Sequence, residues 1–206
     1  MLWKPLWIHE DDFNQAQFMP LGCWNFCCDE LDKIDAHDET HRVPDGIGWT
    51  KMYSIQPSPQ PLVDIRLKLS DLSAAMPWRM RKTKRVLSGG WSEEGSQLPS
   101  TAAYLAGSNA IVFSWSDDKI INDFWFHEAF VSGWQRGPLL EAFFRIGILS
   151  PMLLVDWRGA LVDLSDRKAI GDYLSALGPV GSKSDGSVSV GGKSSTSRAG
   201  GTGETE

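Results

Sequence analysis

The sequence predicts an α+β fold: one domain over residues 1–179 with a largely antiparallel sheet flanked by a few helices, then a tail over residues 180–206. Segments with strand periodicity mix with segments of helical periodicity, without the regular strand–helix–strand alternation of a parallel sheet. All ten tryptophans lie at or before Trp157, so the first stretch has the aromatic content of a packed core. A domain of this length buries roughly 70% of its extended-chain surface, and we expect it to fold without disulfides or metal.

The first part of the domain predicts two strand segments and a helix. Residues 2–8 predict a strand at a sheet edge, because Pro5 has no N–H, and residues 13–19 extend or repeat it. Residues 21–35 predict an amphipathic helix with a buried apolar face made of Trp24, Cys27 or Cys28, Leu31 and Ile34. We expect its polar face to carry Asp29, Glu30, Asp32 and Lys33. Residues 37–48 then predict a polar loop with a turn at residues 44–46.

The middle of the chain predicts two strands and a short helix. One strand is predicted over residues 49–55. The clearest half-buried strand is predicted over residues 63–69, where apolar residues alternate with charged ones. Residues 88–100 predict a loop, and residues 100–106 a short helix that stops at Gly107.

The last third of the domain begins with a hairpin and a helix. Residues 110–115 and 120–126 predict two strands around a short polar turn. Pro138 is suited to the start of a helix, which we expect to run to about residue 148.

A second hairpin and a final helix follow. Residues 152–156 and 160–164 predict strands, with Gly159 free to adopt any positive φ that the turn needs. Ser165 or Asp166 is expected to cap a helix ending at Gly178-Pro179. The buried face of that helix is predicted to hold Ile170, Tyr173, Leu174 and Leu177.

The tail differs in composition from the domain. Residues 181–206 contain seven Gly and seven Ser and no aromatic residue. Such a segment cannot bury enough apolar area to offset chain entropy, so we expect it to be disordered. A native tail and a linker remnant both fit this composition.

The three cysteines lie close together, at Cys23, Cys27 and Cys28. Their spacing matches no common zinc knuckle, and the chain offers no distant cysteine as a disulfide partner. We expect buried, reduced thiols on a helix.

Acidic residues dominate the first quarter of the chain. Ten acids lie between His9 and Asp45, against Lys33 and Arg42 alone, and the whole chain has a net charge of −6. Such a surface repels phosphate and attracts basic surfaces, which disfavours nucleic acid as a partner. The candidate partner-binding residues are Asp29, Glu30, Asp32, Asp35, Asp38 and Glu39. The alternative is an ordinary solvated helix face.

No catalytic signature stands out, and we expect a protein that is not an enzyme and needs neither metal nor cofactor. His37 and His41 have the spacing of two zinc ligands on a helix, with Asp38 in place of the usual Glu, but the polar segment predicts a loop instead. His127 is expected at the edge of the core. Five bases lie between Arg79 and Arg85, suited either to a phosphate-binding patch or to pairing with the acidic lobe.

Two stretches prompt a comparison with a known family: residues 10–20, Glu-Asp-Asp-Phe-Asn-Gln-Ala-Gln-Phe-Met-Pro, and residues 153–165, Leu-Leu-Val-Asp-Trp-Arg-Gly-Ala-Leu-Val-Asp-Leu-Ser. With the acidic, Trp-rich composition, they resemble the immunity proteins that accompany bacterial polymorphic and contact-dependent toxins. The resemblance implies a small cytoplasmic α+β domain without catalytic motifs that neutralises a cognate toxin. It assigns a role to no individual residue.

The sequence therefore favours a cytoplasmic binding protein of the antitoxin type, with a protein partner and no membrane. Exposed carboxylates would steer a basic toxin, and aromatic residues would anchor it. The alternatives are a regulatory or structural interaction protein and, less favoured, a metal-dependent hydrolase that uses His37 and His41.

Overall fold

The computed structural model describes residues 5–9, 15–43, 48–89, 95–129 and 131–178. Within these ranges the chain forms a seven-stranded antiparallel sheet, a three-stranded sheet and four α-helices. The predicted α+β class with a largely antiparallel sheet is confirmed. The predicted tail, the turn at residues 44–46 and the acidic residues 10–12 lie outside the described residues.

The large sheet has the strand order β10-β9-β2-β8-β7-β6-β3, and the small sheet the order β1-β4-β5 with β1 parallel to β4. The strands are β1 (Leu6–His9), β2 (Ala16–Pro20), β3 (Arg81–Thr83), β4 (Val86–Gly89), β5 (Ser96–Gln97), β6 (Thr101–Ala106), β7 (Asn109–Trp115), β8 (Ile121–His127), β9 (Met152–Asp156) and β10 (Ala160–Asp163). The helices are α1 (Trp24–His41), α2 (Leu69–Ala75), α3 (Gly133–Leu149) and α4 (Arg167–Ala176).

The main core lies between one face of the large sheet and the helices α2, α3 and α4. Phe18 of β2 stacks on Phe124 of β8 with ring centroids 4.1 Å apart, and Phe143 of α3 meets Phe18 edge-on at 5.4 Å. Aromatic pairs of this geometry contribute about 1 kcal/mol each beyond the area they bury. Because strand side chains alternate between faces, the neighbouring residues of β2 and β8 point to the opposite side of the sheet.

Two elements cover the opposite face side by side. Helix α1 packs over β9 and β2, where Met19 and Trp157 meet Cys23 and Cys27. The small sheet packs over β6, β7 and β8, where Trp125 lies in the centre of a second apolar cluster. The seam between β2 and β8 therefore lies near the boundary of two separately covered regions.

The locally encoded elements of the last third form as predicted. Strands β7 and β8 make a hairpin, as do β9 and β10, and Gly159 in the second turn has a φ of +118°. Helix α4 begins after Asp166, whose carboxylate accepts hydrogen bonds from the N–H groups of Lys168 and Ala169. Strand β1 lies at an edge of the small sheet, as the proline predicts.

The predicted strand over residues 63–69 is wrong. The chain forms a 3-10 helix over Leu62–Ile65, adopts a left-handed conformation at Arg66 (φ +53°), and enters α2 at Leu69. It meets the start of β8 through an isolated bridge between Lys68 and Ile120 and through a hydrogen bond that the Ile121 N–H donates to the Leu67 carbonyl oxygen. The alternation of apolar and charged residues arises here from a turn that buries Leu67, because no neighbouring strand pairs with the segment.

Two further middle segments also differ from their predictions. Residues 101–106 form β6 and not a helix, since the strand pairs with β3 and β7 and its side chains are buried in the main core on one face and against the small sheet on the other. This context overrides the helix propensity of alanine. Residues 49–55 form no strand beyond an isolated bridge between Trp49 and Arg42. In the predicted loop 88–100, β4 extends to Gly89 and β5 forms at Ser96–Gln97.

Both long helices exceed their predicted bounds. Helix α3 begins at Gly133, five residues before Pro138, because Ser132 and Gln135 form a capping box. Helix α1 continues to His41, so the predicted loop at residues 37–41 is wrong. Glu30 was expected on the exposed face of α1, and this is also wrong: its accessible fraction is 0%.

Candidate protein-binding surface

The carboxylates of α1 form a one-sided acidic surface. Asp29, Asp32, Asp35 and Glu39 are exposed, and Asp38 is partly exposed. The one lysine of the helix, Lys33, donates to Glu30 at 2.6 Å. Of the six candidate residues five therefore carry accessible carboxylates, while Glu30 has its carboxylate turned inward.

A segment without regular structure, residues 48–60, lies alongside α1, and we call it the strap. It carries Trp49, Met52 and Ile55, whose exposed fractions are 45%, 75% and 39%. Trp49 is tied to the acidic surface, because its indole Nε1 donates to Asp38 at 2.7 Å. Trp24 at the start of α1 is a fourth exposed apolar side chain. We call the exposed carboxylates of α1 together with these four apolar side chains the binding face.

Glu30 holds the strap against α1. Its carboxylate accepts hydrogen bonds from Lys33 Nζ at 2.6 Å, from the Tyr53 hydroxyl at 2.9 Å and from the Gln56 N–H at 3.0 Å. Burial alone would raise the pKa of Glu30, but these hydrogen bonds outweigh it and hold the pKa below its ordinary value. Sequence periodicity placed Glu30 on the polar face, since the strap that buries it is distant in sequence.

The two histidines of α1 lie on one face, as the helical alternative required. Their rings stack with centroids 4.3 Å apart, and His41 Nδ1 lies 3.2 Å from the His37 carbonyl oxygen. Tyr53 of the strap approaches His37 with a centroid distance of 5.6 Å. In the part of the chain that the structure describes, no three His, Cys, Asp or Glu side chains gather as metal ligands would. The hydrolase alternative thus lacks a third ligand among these residues.

The cysteines are free thiols, as expected, and Cys23 and Cys27 are buried. Burial, followed by the neighbouring Cys23, Cys28 and Glu30, raises the pKa of Cys27 to about 12. A thiol with that pKa is almost entirely protonated at neutral pH, and a protonated thiol is a poor nucleophile. The burial of the Cys27 side chain is explained by its packing against Met19 and Trp157.

A cleft of about 430 Å³ opens beside the strap, and the sequence did not reveal it. Its walls come from β2, β8, α1 and the strap, and it contains Asp123 and Trp157. Burial raises the pKa of Asp123. Because its residues come from segments that are distant in the sequence, no local pattern could bring them together.

Sequence reasoning also missed a buried polar network at the end of β8. Asp156 accepts two hydrogen bonds from the Arg158 guanidinium, at 2.9 and 2.6 Å, and Arg158 also pairs with Glu128. The Tyr173 hydroxyl of α4 lies 3.1 Å from both carboxylates. The network ties β8, the β9–β10 turn and α4 together, and His127 lies next to it, half-buried, at the end of β8.

The basic run lies on the edge of the large sheet, where β3 is the last strand. Lys82 donates to Ser73 at 3.1 Å and its ammonium lies 5.3 Å from the Tyr104 ring centroid. Arg79 lies 5.2 Å from the ring centroid of the exposed Trp78. Charges on an edge strand oppose pairing with a foreign strand, which gives these bases a role without nucleic acid.

None of the helices in the described ranges has the length and apolar character needed to cross a membrane.

Comparison with known proteins identified no relative of this chain. No family model, no curated protein and no solved structure matches the chain.

Proposed function

We propose that this chain is a non-catalytic binding protein of the immunity type, which neutralises a basic cognate toxin by docking it on the binding face. The observation that carries the proposal is the presence of both kinds of side chain on α1 and the strap, joined where Trp49 donates to Asp38. Helix α1 carries five accessible carboxylates, and Trp24, Trp49, Met52 and Ile55 are exposed on α1 and the strap.

Each kind of side chain has a separate task in this proposal. Carboxylates at the rim accelerate the encounter with a basic partner by long-range attraction. Tryptophan and methionine supply apolar area that loses its water only in the complex, and such residues are enriched at the centre of protein interfaces. A surface of this composition suits a basic protein better than nucleic acid, because the carboxylates repel phosphate.

The strap is held in place before any partner arrives. Glu30 binds it from below through Tyr53 and Gln56, and Asp38 binds Trp49. An interface that is ordered in advance loses less conformational entropy on binding, which supports a tight complex. This organisation favours recognition over catalysis for the same residues.

The test uses the protein encoded by the neighbouring upstream gene as the candidate toxin. Co-expression should protect cells from it, and the two chains should co-purify. A variant with Asp29→Asn, Asp32→Asn, Asp35→Asn and Glu39→Gln should protect less well. The control variant removes four exposed charges elsewhere through Asp64→Asn, Asp71→Asn, Asp117→Asn and Asp172→Asn, and should protect like the wild type.

The alternative is a regulatory or structural interaction protein that uses the same surface. It predicts a stable complex with a partner that is not toxic when expressed alone. Growth of cells that express the partner by itself separates the two functions.

A loss of protection by both charge variants to the same extent would contradict a role for the binding face.

A further inference from the structure

Strands β2 and β8 separate soon after they meet. They pair only at Ala16–Phe126 and Gln17–Trp125, whereas β2 pairs with β9 along all five of its residues. Pro20, which has no N–H, closes β2 on one side of the fork. On the other side the register of β7 and β8 shifts so that Asn122 has no partner, as in a β-bulge. The cleft of about 430 Å³ lies where these two strands diverge.

Apolar and polar side chains both line the cleft, and the polar ones are Gln17, Gln56, Ser58, Gln60, Asn122 and Asp123. Phe26 of α1, Phe124 of β8 and Trp157 after β9 line it, together with Ile55 of the strap. Trp157 is fixed in position, because its Nε1 donates to Gln17 Oε1 at 2.9 Å. The volume of the cleft lies within the range of small-ligand sites in proteins, which combine apolar walls with a few polar groups.

Asp123 is the only charged residue among the described residues that line the cleft. Its carboxylate is half-buried, burial raises its pKa, and a hydrogen bond with the backbone of Phe124 opposes the rise. A half-buried carboxylate that has no basic side chain among the described lining residues is poorly compensated. A cation that enters the cleft would supply the missing charge, and aromatic rings attract cations as well.

We propose that this cleft binds an organic cation, a guanidinium or an alkylammonium group, with Asp123 as the counter-ion. The bulge at Asn122 and the early end of the β2–β8 pairing open the space, and the aromatic side chains exclude water around the ion pair. This site is separate from the binding face, although Ile55 borders both. The proposal therefore stands even if the cognate partner does not dock on α1.

Two sources can supply such a group, and two probes distinguish them. Agmatine represents a free small cation. N-acetyl-arginine methylamide represents an arginine side chain presented by a protein. The matched neutral probe is N-acetyl-citrulline methylamide, which keeps the shape of the arginine derivative and lacks its charge.

The experiment follows the indole N–H signals by NMR while each probe is added to the full chain. A cationic probe should bind saturably with a dissociation constant of about 1 mM or tighter, a range that a ligand of this size reaches. The citrulline derivative should bind at least about tenfold more weakly, since it forms no charge-assisted hydrogen bond. Binding of the arginine derivative alone assigns the cleft to a protein side chain, and binding of agmatine as well assigns it to small cations in general.

Variants locate the site. Asp123→Asn removes the charge and keeps the shape, and it should weaken binding of the cation by about tenfold or more. Asp117→Asn, an exposed carboxylate in the β7–β8 turn, should leave binding unchanged. Equal binding by Asp123→Asn and the wild type, equal binding of the arginine and citrulline derivatives, or no saturable binding of either cation would each overturn the proposal. The comparison of the two derivatives uses the wild type alone, so it holds even if Asp123→Asn fails to fold.

Discussion

At the scale of single residues, Glu30 joins the fold to the proposed function. Its buried carboxylate serves three donors from two segments, so it fixes the strap while it stabilises the domain. Of the accessible acids of the same helix, Asp38 also contacts the strap, through Trp49. Substitution of Glu30 should therefore destabilise the protein more than substitution of the exposed acids of α1, although the sequence places all of them on one polar face.

We expect Glu30→Gln to lower the free energy of unfolding by about 2 kcal/mol, because Lys33 loses its anionic acceptor and the buried amide cannot satisfy every donor. Asp29→Asn removes the same charge from the exposed face and should change stability by less than about 0.5 kcal/mol. Urea denaturation of both variants and the wild type measures this. Equal effects of the two substitutions would mean that the Glu30 contacts do not stabilise the strap.

The same residue predicts a dependence on pH. The pKa of Glu30 is lowered on folding, so its stabilising contribution is fully present above the ordinary value of 4.5 and is lost as the pH falls through the folded-state pKa. The stability difference between the wild type and Glu30→Gln should accordingly shrink below about pH 4.5. Denaturation curves at neutral and at acidic pH test the sign. A difference that grows on acidification would contradict the lowered pKa.

At the scale of elements, α1 shows which features local sequence determines. The apolar spacing of Cys27, Leu31 and Ile34 was predictable, because it depends on neighbours three and four residues away. Trp24 was expected on the same buried face, and this is wrong, since its exposed fraction is 38%. The extension of α1 to His41 was not predictable, because the polar residues 37–41 are supported by Tyr53 and Trp49 of the strap. Here contacts between distant segments decide where the helix ends.

Among the strands, too, those set by local sequence were predictable and those set by contacts between distant segments were not. The hairpins β7–β8 and β9–β10 were predictable from short alternating runs around a turn. Strand β6 was not, because its strand pairing with β3 and β7 and the burial of both of its faces come from distant segments and override a composition that favours a helix. The cleft was not predictable either, since its fork depends on a bulge at Asn122 and on a strap with no regular structure. Five of the six predicted residues of the acidic surface are accessible, whereas Glu30 is buried by the strap, which the charge pattern does not reveal.

The extension of α1 to His41 places His37 and His41 on one helix, so the hydrolase alternative can be tested by measuring bound metal. The two histidines now share a helix face, yet their rings stack and a third ligand is lacking among the described residues. We expect purification without chelator, and without an affinity tag rich in histidine, to yield a protein that lacks stoichiometric zinc, nickel or manganese. Elemental analysis of the wild type and of His41→Ala measures this. Near-stoichiometric metal that His41→Ala loses would favour the hydrolase instead.

At the scale of the whole molecule, composition divides the chain into a domain and a tail. Residues 181–206 hold no aromatic residue that could anchor them to the domain. A chain that ends at Val180 should therefore unfold within about 4 °C of the full chain, since a shift of that size corresponds to roughly 1–2 kcal/mol for a domain of this length. Thermal unfolding of both chains provides the comparison. A larger fall in the midpoint would show that the tail packs on the domain.

The distribution of charge over the molecule carries the central claim. The acids of α1 face away from the sheet, and the basic run lies on β3 at the far edge of the large sheet from β9 and β2, which α1 covers. A basic partner should therefore approach along one direction. Charges at a rim act mainly on the association rate and are screened within about 8–10 Å at physiological salt, whereas apolar contacts act mainly on the dissociation rate.

The most direct test is the association rate of the candidate toxin proposed above, measured by stopped flow across a range of salt concentrations. The wild type should associate more slowly as salt rises. The variant with Asp29→Asn, Asp32→Asn, Asp35→Asn and Glu39→Gln should be slow at low salt already, and it should depend less on salt. The variant with four substituted acids outside α1 should behave like the wild type. An association rate that is unchanged by both salt and the α1 substitutions would contradict this claim. The exposed acids of α1 would then form an ordinary solvated helix face.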